Sequence, residues 1–136
     1  MRRYRGLLVH ALLVGLGGWL LACGSTAPQL VSITINPATA TALDSASGEI
    51  QFVATGTYTD GHTVMPLPVF WGEHAPWIMT PDPGGVSVNG NGLAQCTTFK
   101  GTVPIVAIAP KDPAIPLAAM TISTTVVSGT AQLTCK

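Results

Sequence analysis

The chain has 136 residues, 47% of them hydrophobic and only 9% charged, with six basic and six acidic side chains. That length fits one domain and a modest core. It contains no Lys/Arg-rich run with interleaved aromatics, so nucleic acid is an unsuitable partner.

The charge is unevenly spread. Arg2, Arg3 and Arg5 lead into an apolar run from Gly6 to Leu21, in which His10 is the one titratable residue. A basic start, an apolar centre and a small residue at its end read as a secretory signal. The run is about 16 residues, short of the roughly 18 expected of a spanning helix. Gly15, Gly17 and Gly18 weaken it further as a helix. The Arg2-Arg3 pair leaves the general secretory and twin-arginine routes both open.

The run ends in Leu20-Leu21-Ala22-Cys23, which resembles the lipobox of bacterial lipoproteins. The resemblance implies cleavage after residue 22, a lipid on the Cys23 thiol and an acylated new amino terminus. Sulfur is the nucleophile that such a modification requires, and several acyl chains anchor where one is marginal. The implied partner is therefore a lipid bilayer. Gly24, where an Asp would resemble an inner-membrane retention signal, favours the outer membrane of a cell that has one. An uncut signal anchor, or a plain signal peptide with an incidental Cys, is the alternative.

About 114 residues follow residue 22, and they keep three Lys against all six acids, a formal charge of −3. Cys96 and Cys135 are then an even pair in an oxidising compartment, which predicts a disulfide between them. Two buried free thiols are the alternative. Residues 23–29 form a short tether, whose six extended steps reach about 20 Å.

Strands are expected from Leu30 to Ile35, along an edge from Ala38 to Ala42, and from Ile50 to Tyr58. In the last of these, Ile50, Phe52, Ala54, Gly56 and Tyr58 share one face. Asp60-Gly61 marks a turn, Thr63-Val64-Met65 a short piece, and Val69-Phe70-Trp71 a strand with Phe70 facing outward. Glu73 to Gly85 is Pro-rich and irregular. Val86-Ser87-Val88 and Leu93 to Cys96 flank an Asn89-Gly90-Asn91-Gly92 hairpin turn. Val103 to Ala109 has Ile105, Ala107 and Ala109 inward, with Pro104 suggesting an edge. Pro110 to Pro116 reads as loop, Met120 to Val127 as extended, and Gly129 to Cys135 as the last strand.

This pattern predicts an all-β fold, a β-sandwich over residues 30–136. Several pieces, in order, resemble the group 2 bacterial immunoglobulin-like domain of intimin- and invasin-type surface proteins. They are Ser32-Ile33-Thr34-Ile35-Asn36-Pro37, Ile50 to Tyr58 with Asp60-Gly61, Val69-Phe70-Trp71, Val86 to Leu93, and Gly101 to Ala107. The resemblance implies an immunoglobulin-like sandwich with Trp71 at its centre. It carries no catalytic residues, since such domains serve as spacers, adhesin modules or surface binders. Gly72-Glu73-His74 and the long end after Pro110 depart from the family pattern.

Candidate chemistry is sparse. His62, His74 and Asp82 sit at no recognised ligand spacing and read as solvated loop residues, so no metal and no cofactor is expected. No Gly-x-Ser-x-Gly elbow or phosphate loop is present, and a non-enzymatic role is expected. Phe70 and Trp77 are the candidate binding patch, for an envelope protein or a glycan. Burial of both in a satellite cluster is the alternative.

Overall fold

The computed structural model describes residues 26–43, 48–72 and 84–136. The ten strands are β1 (Leu30–Asn36), β2 (Thr39–Ala42), β3 (Glu49–Gln51), β4 (Val53–Tyr58), β5 (Thr63–Val64), β6 (Phe70–Gly72), β7 (Val86–Val88), β8 (Leu93–Cys96), β9 (Gly101–Pro110) and β10 (Val126–Cys135). Among the described residues a single 3-10 turn spans Leu117–Ala119. The described residues form the expected all-β sandwich.

One layer has the order β2-β10-β9-β6. The other combines β1-β4-β5 with β3-β8-β7. Its two parts meet at Phe52, which interrupts one continuous run between β3 and β4. There the ladder hands over: the N–H of Phe52 donates to the carbonyl of Gly92 at 2.9 Å. The strand expected over Ile50 to Tyr58 is thus present with one break, and its side chains alternate as read. Phe52 and Ala54 are fully buried beneath the opposite layer.

Asn36-Pro37 separates β1 from β2 and moves the chain from one layer to the other. β2 then runs parallel to β10, from Thr39 beside Gln132 to Ala42 beside Cys135. Pro104 takes its place for a legible reason. The N–H of its partner Gln132 is turned away, to the carbonyl of Ala38 at 2.9 Å. Pro104 therefore turns its own backbone nitrogen away from β10, although β9 lies between β10 and β6 and is not the edge strand that the proline suggests. An imino acid costs no bond of the β9–β10 ladder there.

The core is made by both layers, with Leu30, Phe52, Ile105, Leu133 and Cys96 its largest fully buried side chains among the described residues. Among the described residues no polar or charged side chain is buried. Phe52, not Trp71, holds the centre. Trp71 is half-buried and packs on the core from its margin. Its ring lies where a Cβ on Gly92 would fall, at 2.9 Å, and Gly92 also has φ +79°. The hairpin thus needs glycine for two separate reasons.

One expected element is different. Met120 to Val127 is not a continuous extended piece: a turn occupies 121–124 and β10 starts at Val126. The Thr side chains account for it. The N–H of Thr121 donates to Thr124 Oγ1 at 2.9 Å, and the N–H of Thr124 donates to the Thr121 carbonyl at 3.0 Å. Such local bonds compete with a ladder. The propensity of Thr and Ile for strands loses to them.

Candidate functional site

The chain enters the sandwich at Gln29. Its N–H donates to Thr59 Oγ1 at 3.1 Å and its carbonyl accepts the Thr59 N–H at 2.9 Å. The Leu30 N–H then donates to the Lys111 carbonyl, and the Lys111 N–H to the Thr125 carbonyl, each at 2.9 Å. This end of the sandwich therefore gathers the tether, the 59–62 turn and the long connection from Lys111 to Thr125.

His62 lies in that 59–62 turn. Asp60 Oδ1 accepts the His62 N–H at 3.2 Å and also meets Nδ1 of the ring. The ring stacks on Tyr58 with centroids 4.3 Å apart and planes 8° from parallel. Desolvation of the Asp60 carboxyl opposes ionisation, but the hydrogen bonds and charge of His62 outweigh it, and the carboxyl is held below its ordinary value. His62 and Asp60 are both solvent-exposed and brace a turn, as a loop histidine would. Among the described residues, no three His, Cys, Asp or Glu side chains gather as a metal site. His74 and Asp82 lie outside the described residues.

Phe70 is on β6 and 50% exposed, while Val69 and Trp71 turn to the core. This is the alternation read from sequence. Trp77 lies outside the described residues. A groove of about 540 Å³ opens beside Trp71, between Phe52, Leu67, Val69, Asn91 and Leu117. Phe70 does not line it, because it projects from the other side of β6. Phe70 instead stands opposite Ile108, which with Val106 is buried although both point away from the central cluster. The second apolar parity of β9 is visible in the sequence as an unbroken Ile105 to Ala109 run, the mark of a strand covered on both faces. Reading only Ile105, Ala107 and Ala109 as inward missed it.

Cys96 and Cys135 form a disulfide with Cα atoms 5.8 Å apart, linking β8 of one layer to β10 of the other. It lies at the end of the sandwich remote from the tether. Cys23 is outside the described residues. A scan against protein-family models finds no match, and no curated protein matches the chain.

Proposed function

We propose that this chain is a membrane-anchored lipoprotein with one immunoglobulin-like module, serving a structural or protein-contact role in the cell envelope and performing no catalysis. The observation that carries the reading is Leu20-Leu21-Ala22-Cys23, placed six residues before a tether residue that is bonded to the first strand's end of a sandwich. The strand order supports the immunoglobulin-like part: β1, the β3–β4 run, β8 and β7 face β2, β10, β9 and β6, which corresponds to the two-sheet arrangement of such domains. The outer membrane is the expected site in a diderm cell. Metabolic labelling with palmitate tests the anchor. The native chain takes up label, and Cys23→Ser abolishes it and leaves a precursor-sized product. Unchanged labelling of Cys23→Ser refutes the reading.

A second reading, glycan or peptidoglycan binding, is favoured by the exposed ring of Phe70 together with Trp77 in the Pro-rich segment. Binding of the soluble domain to peptidoglycan that falls on Phe70→Ala or Trp77→Ala would support it. No binding before or after either change removes it.

A further inference from the structure

We propose that the tether end of the sandwich rests on the bilayer, with Ile122 seated at the lipid interface as a second, non-covalent contact. The proposal rests on the reading of Cys23 as the acylated residue.

Ile122 is fully exposed, at 108% of its reference surface. Its exposure is built in. Ile122 sits at the corner of the 121–124 turn, which is closed by the Thr124 N–H to the Thr121 carbonyl at 3.0 Å. The Thr121 N–H to Thr124 Oγ1, and Thr121 Oγ1 to Ser123 Oγ, add two more bonds at 2.9 Å each. Turn corners favour Pro or small polar residues. A β-branched hydrocarbon side chain contributes nothing to this turn, and water is a poor surrounding for it.

The location supplies the occupant. Ser123, Thr124 and Thr125 share one surface pocket with Gln29 and Lys111. The Ile122 turn is therefore a neighbour of the residue on which the tether arrives. Cys23 to Gln29 spans about 20 Å at full extension, so this end cannot stand far from a membrane that holds Cys23. The ten residues of β10 lead away from it for about 30 Å, toward the disulfide. Among the described residues at this end, Lys111 and Asp112 are of opposite sign, and Asp60, His62 and Tyr58 are the other titratable side chains. The contact is accordingly apolar, with no net basic patch to seek anionic lipid. An interfacial Ile gains by leaving water.

The mature acylated protein in phosphatidylcholine vesicles, with and without phosphatidylglycerol, provides the test. Cys96 and Cys135 are joined and the Cys23 thiol is acylated, so an introduced thiol is the one that reacts. An environment-sensitive fluorophore on Ile122→Cys should shift to the blue and be quenched several-fold more by spin-labelled lipid than one on Ser87→Cys, an exposed site of β7. The shift should be the same in both lipid mixtures. Protein that floats with the vesicles while the 122 probe stays as wet as the 87 probe overturns the proposal and leaves the anchor standing. Quenching that needs phosphatidylglycerol overturns the apolar contact. Protein that does not float refutes the anchor and the proposal with it.

Discussion

The two ends of the sandwich are closed by different chemistry. At the remote end, β8 and β10 are joined covalently through Cys96 and Cys135, and β2 runs beside β10 down to Ala42. At the tether end, closure is by hydrogen bonds, Gln29 with Thr59, Leu30 with Lys111 and Lys111 with Thr125, and by the packing of the buried Leu30 with Tyr58, Leu117 and Val127 around the core. A cross-link acts mainly on the unfolded chain and holds whatever the solvent. Exposed hydrogen bonds contribute little net free energy and open locally. The lesson is that the remote end is fixed by a covalent bond, while the tether end depends on non-covalent contacts around Leu30.

The largest effect should come from the covalent end. Replacing Cys96 and Cys135 by Ala closes no loop in the unfolded chain and should cost about 4 kcal/mol for a 39-residue separation. Urea unfolding reads it directly. A midpoint that does not move would mean that the remote end is held by packing alone. Next is the seam between the layers. A Cβ on Gly129 would sit 2.6 Å from the Ile33 carbonyl oxygen, so Gly129→Ala should force β1 from β10 and cost about 1–3 kcal/mol. An unaltered unfolding midpoint would show that the seam has slack. The smallest effect belongs to the tether end. Because His62 lowers the Asp60 pKa, the pairing favours the folded state above the unfolded-state pKa and is lost as pH falls through the folded value. Both groups are exposed, so the change in stability should be barely measurable, and NMR titration of the Asp60 carboxyl is the better readout. His62→Ala should move its midpoint up toward that of an ordinary aspartate. A midpoint unmoved by that change would show that the turn does not couple the two.

Much of the fold was legible because it rests on period-two alternation. Ile50 to Tyr58 and Val69 to Trp71 declare their inward sides by residue type, and the single pair of cysteines left after Cys23 points to its own bond. What escaped depends on competition or on distance along the chain. The 121–124 turn is decided by hydroxyl groups that any strand-propensity reading counts in favour of a strand. Trp71 looks central by size, yet Phe52 is the fully buried ring and Trp71 packs at the margin. The groove beside Trp71 joins Leu67 to Leu117, and nothing local in either segment reports the other. Ile122 was legible only as an apolar residue in a Thr-rich piece. Its exposure follows from the turn that the sequence reading did not anticipate.

The proposed lipid anchor underlies the functional account, and intact-mass and N-terminal peptide analysis of the protein from native membranes tests it most directly. The account predicts a first peptide that begins at Cys23 and carries the added mass of acyl chains. A first peptide that still includes residues 1–22, or one that begins at Cys23 with no added mass, would contradict it.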